Sequence, residues 1–174
     1  SAEICFLNAQ ALSATQGRWP YYLGHLYKAK GPVEKSVEFF SRALQLMPDD
    51  VATLIWLGEA NLSAGRADAA ATVFARAMAI HPSEAAAWSG AGRSSLAQRN
   101  FRQAVDQFTR ALELAPKASK IHYSLAMAYR GLGDSAKTEA QLAQRGDVDA
   151  RPADPLMREL DVLLQSAEAY NIRG

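Results

Sequence analysis

The sequence predicts an all-α chain built as a helical-repeat solenoid, and three observations predict it. Pro48, Pro82 and Pro116 stand 34 residues apart. Phe40, Phe74 and Phe108 recur at the same interval, each followed three residues on by an alanine, Ala43, Ala77 and Ala111. Between these marks the apolar residues fall at helical spacing. A period of this length belongs to a supersecondary unit that cannot bury its apolar face alone and stacks on its neighbours to do so. Such folds act through an extended surface instead of a deep pocket.

Setting each late proline at position 32 of its unit gives repeats at 17–50, 51–84 and 85–118. Residues 1–16 precede them. There Ala2, Phe6 and Ala9 fall at positions 20, 24 and 27 and predict the second helix of a preceding repeat. In the second unit Leu54, Leu57, Gly58 and Leu62 predict a helix ending at Gly65, and Ala70, Phe74 and Ala77 a second one ending before His81-Pro82. Gly65 is expected to end its helix and allow a tight turn. Gly31, followed by Pro32, is expected to do the same in the first unit, and Asn100 takes that role in the third because asparagine tolerates the left-handed conformation. Residues 119–145 keep Leu125, Ala126, Tyr129 and Gly133 and predict a degenerate repeat. Residues 146–155, Gly-Asp-Val-Asp-Ala-Arg-Pro-Ala-Asp-Pro, read as a loop. In 156–174, Leu163, Ala167, Tyr170 and Gly174 reproduce positions 4, 8, 11 and 15, which predicts a C-terminal helix opening a further repeat or acting as a cap. Both ends would then expose faces that neighbouring helices cover, as in a segment of a longer array.

Composition excludes several classes. With 174 residues, 49% hydrophobic and 21% charged, the chain can bury a core. No run approaches the roughly eighteen apolar residues of a membrane span, and residues 1–14 lack the basic start and cleavage site of a secretory signal. A net charge of +1 provides no field to draw the chain onto nucleic acid. One cysteine, Cys5, allows neither an internal disulfide nor a cysteine-rich metal site. None of this identifies a compartment.

The pattern resembles the tetratricopeptide repeat: a large residue at position 4, Leu-Gly at 7 and 8, Tyr at 11, Ala at 20, Phe at 24, Ala at 27 and Pro at 32. Leu23-Gly24 and Tyr27 match in the first unit. Leu57-Gly58, Gly65, Ala70, Phe74, Ala77 and Pro82 match in the second, and Trp88, Gly92, Ala104, Phe108, Ala111 and Pro116 in the third. The fourth departs with Thr138 and Arg145 where the family prefers alanine. Small residues at 8, 20 and 27 let paired helices approach, and large ones fill the space between them.

The resemblance implies a right-handed superhelix whose concave face, built from first-helix positions 2, 5, 9, 12 and 13, binds other proteins. Carried over, these positions are Arg18, Tyr21, His25 and Lys28; Ile55, Glu59, Leu62 and Ser63; Ser89, Arg93 and Leu96; and Lys120, Tyr123, Met127 and Arg130. Five cations, Arg18, Lys28, Arg93, Lys120 and Arg130, face one anion, Glu59, with Tyr21, Tyr123, Met127 and Ile55 between them. The expected partner is an extended or helical protein segment carrying acidic and apolar residues. The same charges would also suit a plainly solvated helix face.

Other uses fit less well. The family's clamp for chaperone tails needs Lys, Asn and Arg where this chain has Tyr21, His25, Trp56, Ala86 and Gly90, and the asparagine-lined groove of its sugar-transferring relatives is missing. His25, His81 and His122 fall at positions 9, 31 and 4 and do not converge, and no catalytic motif is present, so neither an enzyme nor a cofactor is expected. Cys5 is expected to pack, not to react. Open ends could stack chain on chain, which would make a homo-oligomeric platform. Nucleic-acid binding ranks last because no per-repeat base-reading code is present.

Overall fold

The computed structural model describes residues 2–162. Nine helices follow one another there: α1 (Ala2–Leu12), α2 (Arg18–Lys30), α3 (Val33–Leu46), α4 (Val51–Ser63), α5 (Ala67–Ile80), α6 (Ala85–Ala97), α7 (Phe101–Leu114), α8 (Ile121–Gly131) and α9 (Ser135–Ala143). A further helical stretch covers 155–162. Each helix packs on the next in sequence, and α4 also meets α6 as α6 meets α8. The first helices α4, α6 and α8 therefore form a row that α2 joins through His25 against Trp56, and in a helical-repeat stack that row lines the concave face.

The 34-residue period has a direct packing cause. Phe40, Phe74, Phe108 and Ala43, Ala77, Ala111 are all completely buried. Each phenylalanine ring lies against the position-8 glycine of its own unit, Gly24, Gly58 or Gly92, where an added Cβ would overlap the ring. Phe74 is wedged further, because Gly90 on α6 closes over it in the same way. Removing an aromatic ring from water is worth about 1.5–3 kcal/mol, so these three wedges recur as the main apolar joints of the stack. Helix starts are secured locally as well. Asp50 Oδ2 accepts hydrogen bonds from Thr53 N at 2.8 Å and Thr53 Oγ1 at 2.5 Å, and Glu84 caps α6 through Ala86 N at 3.1 Å.

The turns correct two expectations. Gly65 (φ 71°) and Gly133 (φ 78°) are left-handed, but the third such position is Arg99 (φ 61°), not Asn100. Gly65, Arg99 and Gly133 keep the 34-residue interval. Asn100, one residue later, has φ −84° and precedes α7. Gly31 is also in phase but extended (φ −127°, ψ −175°), because the following Pro32 disfavours other conformations at the residue before it. A side chain in the left-handed region costs roughly 1–2 kcal/mol. Arg99→Gly is accordingly expected to stabilise the chain by about 0.5–1 kcal/mol, part of that gain being offset by the greater freedom of glycine in the unfolded chain. A denaturant midpoint that stays put or falls would contradict it.

In the fourth unit α9 has nine residues and buries none of them. Beyond it the described residues do not add another layer. Residues 145–154 run irregularly back across the concave face, and the helical stretch from 155 lies against α2, where Leu156, Met157 and Leu160 pack on the cluster of Tyr21, Tyr22 and Phe40. Its described part thus covers the first unit instead of stacking on α9. Leu163, Ala167, Tyr170 and Gly174 lie outside the described residues. No helix among the described residues is long and apolar enough to cross a membrane.

Candidate partner-binding groove

The concave face is occupied, along its first units, by the chain's own residues 146–162. This strap is anchored first at the start of α8. Gly146 N donates to Ser119 O at 3.2 Å, Val148 N to Ser119 Oγ at 3.3 Å, and Lys120 N to Val148 O at 3.0 Å. Lys120 Nζ pairs with Asp149 at 3.2 Å. Ala150 then packs on the clusters of both the second and third units, and Pro152 is buried.

The next anchor is Asp154. Its Oδ2 accepts hydrogen bonds from Tyr21 Oη at 2.5 Å and Trp56 Nε1 at 2.9 Å, and His25 Nε2 lies 4.0 Å away. Its Oδ1 accepts from Met157 N at 3.0 Å, so the same carboxylate caps the helix that follows. Pro155 takes the first helical position, where its missing N–H costs nothing. Tyr22 Oη donates to Leu156 O at 3.2 Å, and Arg18 pairs with Glu159 at 2.8 Å.

Four aromatic groups shape this socket. Tyr21 and His25, one turn apart on α2, meet edge to face at 4.7 Å between ring centres, and His25 meets Trp56 of α4 and Phe40 of α3 at 5.1 Å each. Lys28 Nζ stands 3.8 Å from the centre of the Trp56 ring, a cation–π contact. Burial, reinforced by the Asp154 carboxylate, raises the pKa of Tyr21, so its hydroxyl remains a donor. Burial likewise pushes His25 down to about 4, against the pull of Asp154, and keeps it neutral near pH 7. Its Nε2 is buried with no hydrogen-bond partner among the described residues. Lys28 is lowered by burial and by the neighbouring Arg151 and Arg93, with Glu59 and Asp149 opposing. Beside it a cavity of about 360 Å³ opens between groove and strap, lined by Lys28, Trp56, Glu59, Arg93, Lys120 and Arg151 among others.

The carried-over positions divide into five sets. Arg18, Tyr21, His25 and Lys120 touch the strap. Glu59 and Arg93 pair with each other across α4 and α6, and with Lys28 they line the cavity. Ile55 and Ser89 are buried, while Leu62 and Leu96 are half-buried against the unit clusters, so these four serve packing first. Ser63 is exposed and donates to Glu59 O at 3.0 Å. Tyr123, 53% exposed, lies with exposed Arg130 and half-buried Met127 on α8, and none of the three has a hydrogen-bond or ion-pair contact with the strap among the described residues. Sequence reasoning missed Trp56 and Asp154. The available signal was Asp154-Pro155 ahead of Leu156, Met157 and Leu160, a helix start with an apolar face.

Two tetratricopeptide repeat family models match the chain, one over residues 28–93 and the other over 89–155. The chain belongs to the tetratricopeptide repeat family, and its repeats make it, in general terms, a protein–protein interaction scaffold. Among solved structures it is similar to residues 41 to the end of MamA from Desulfovibrio magneticus RS-1 (TM-score 0.76, 17% identity, covering 82% of this chain and 81% of that one). It is also similar to TTC0263, a thermophilic protein of the family from Thermus thermophilus (TM-score 0.68, 24% identity, 74% and 72% covered). A third is YrrB, described as having an unusual peptide-binding site (TM-score 0.70, 18% identity, 82% and 74% covered). At these identities the likeness is one of fold. No curated protein matches the sequence.

Proposed function

We propose that this chain is a non-enzymatic adaptor whose concave groove holds an extended or helical segment of a partner protein carrying acidic and apolar residues. One observation carries the reading: the groove is filled by a segment of that chemistry, the chain's own. Asp149 sits on Lys120, Asp154 on Tyr21 and Trp56, and Glu159 on Arg18, while Leu156, Met157 and Leu160 pack on the aromatic cluster. Carboxylates meet cations and aromatic donors, and apolar side chains meet rings, as peptide recognition in a helical groove requires.

On α8 the groove offers Tyr123 and Arg130 at the surface, so a partner can engage this end directly. Affinity capture from native extract with wild-type chain and with Tyr123→Ala/Arg130→Glu, matched for melting, tests this. A partner retained by the wild type, lost by the variant and weakened as salt rises supports the reading, since exposed charges are screened over about 10 Å at about 0.1 M salt. The same proteins on both would refute it. A second reading, self-assembly through the solenoid ends, draws on α1, whose Ile4, Leu7 and Leu12 are 58%, 41% and 87% exposed. Light scattering across concentration distinguishes it, because a constant monomer mass removes it.

A further inference from the structure

We infer that Tyr21, Trp56 and His25 form a socket for an aspartate that caps a partner's helix, and that residues 147–162 occupy this socket in cis until such a segment displaces them. The inference rests on the groove reading above and names the ligand and its built-in competitor.

The socket is a product of the solenoid and not of one helix. Tyr21 comes from the first unit and Trp56 from the second, yet both donors converge on one oxygen of Asp154. Neither finds another acceptor among the described residues, and a buried donor without an acceptor is costly. Tyr21 and Trp56 therefore call for one acceptor oxygen at this point, whichever chain supplies it, and a carboxylate leaves its second oxygen free for another donor. The neighbouring backbone adds a second requirement. The other Asp154 oxygen caps a helix through Met157 N, and Tyr22 reaches Leu156 O just inside that helix. A lone acidic side chain would satisfy the donors but leave Tyr22 unmet. The fitting ligand is an aspartate at a helix start, followed by apolar residues at the spacing of Leu156, Met157 and Leu160.

The occupant in cis fits incompletely. His25 Nε2 is buried with no hydrogen-bond partner among the described residues and stays 4.0 Å from the Asp154 oxygen, beyond hydrogen-bond range. An aspartate seated slightly deeper would gain that third contact. The cavity beside it also has Lys28 and Arg151, which have no carboxylate within ion-pair range among the described residues, next to Arg93 and Lys120. A ligand with a further acidic residue ahead of its aspartate would fill space that the strap leaves open.

The strap's two ion pairs are weak. Arg18–Glu159 and Lys120–Asp149 involve side chains 41–63% exposed, and exposed pairs of this kind contribute little. The joints of the repeats, Phe40, Phe74 and Phe108 against their glycines, involve no strap residue. The strap can thus leave without unmaking the stack. When an occupant in cis holds most of the population, the apparent affinity for a ligand in trans falls by the fraction of chains left open.

The test uses the whole 174-residue chain and a fluorescently labelled synthetic peptide with the sequence of residues 147–162. Asp154→Ala removes the internal aspartate, and Asp149→Asn/Glu159→Gln loosens the strap without touching a buried group. Anisotropy is expected to show the peptide binding Asp154→Ala about tenfold or more tightly than wild type, with the double variant between them. Adding Trp56→Phe to Asp154→Ala, or placing Asp154→Asn in the peptide, is expected to reverse most of that gain. Equal binding to wild type and both strap variants overturns the inference, as does indifference to the peptide's Asp154→Asn change. If Asp154→Ala loses its helical circular dichroism, the double variant decides, and no gain there overturns it. Partner capture sensitive to Tyr123 and Arg130 alongside such a failure would leave the groove reading standing. Peptide gain without that sensitivity would leave the socket standing and refute engagement at α8.

Discussion

Phe74→Ala is expected to destabilise the chain by about 3–5 kcal/mol, the range for truncating a buried aromatic. The position is unusually intolerant because its ring is gripped from two sides. Gly58 on α4 and Gly90 on α6 both approach so closely that neither could carry a Cβ without overlapping it. Removing the ring leaves glycine backbones facing a void, and no side chain at those positions can relax into it. The cost combines lost transfer energy with an uncollapsed cavity, and it falls on the joint between the second and third units. Urea titration by circular dichroism checks it. A midpoint shift no larger than that of a surface substitution would contradict the wedge as the main joint.

Acidification is expected to weaken the fold through His25 by about 3 kcal/mol, at about 1.36 kcal/mol for each pKa unit. The folded chain holds His25 at about 4, against 6.5 for the ordinary side chain, because burial disfavours the charged ring more than Asp154 favours it. Between those values the unfolded chain takes up a proton that the folded chain refuses. Stability is therefore complete above about pH 6.5, declines as pH falls, and has lost this contribution by about pH 4. Asp134, held below the usual carboxylate range by the backbone N–H of Lys137, titrates lower still and does not confuse the window. Unfolding free energies of wild type and His25→Gln measured from pH 7 to 4.5 test the assignment. A decline shared equally by the variant would assign the effect to other groups.

The helices were legible because the packing that makes them is periodic. Phe74 and Ala77 announce their neighbours through Phe40, Phe108, Ala43 and Ala111, and the all-α repeat fold follows from that recurrence. Arg99 shows the limit of residue-type reasoning. Asparagine is the better left-handed residue, yet the geometry of the hairpin fixes the place by register, and Arg99 occupies it. The carried-over groove residues were legible as positions but not as roles, since Ile55 and Ser89 prove buried while Tyr21 and His25 prove covered. What covers them could not be read, because Gly146 to Pro155 has the composition of any loop and its partners lie up to 133 residues back in the chain, as with Tyr21 and Asp154. Trp56 was similarly silent. Its role arises only when α2 and α4 set its indole nitrogen beside the Tyr21 hydroxyl.

A stack of repeats transmits order only between neighbours, so it ordinarily frays from its ends and unzips unit by unit. The strap changes that connectivity. By tying Ser119 and Lys120 at the start of α8 to Arg18, Tyr21 and Trp56, it closes an open row of helices into a loop, like a string across a bow. Closing a long loop carries an entropic cost that grows only slowly with its length, so even a few such ties couple the melting of the first unit to that of the fourth. The pitch of the solenoid is then a property of the whole string and bow, and a ligand that takes the place of the string would change the curvature of the entire surface at once.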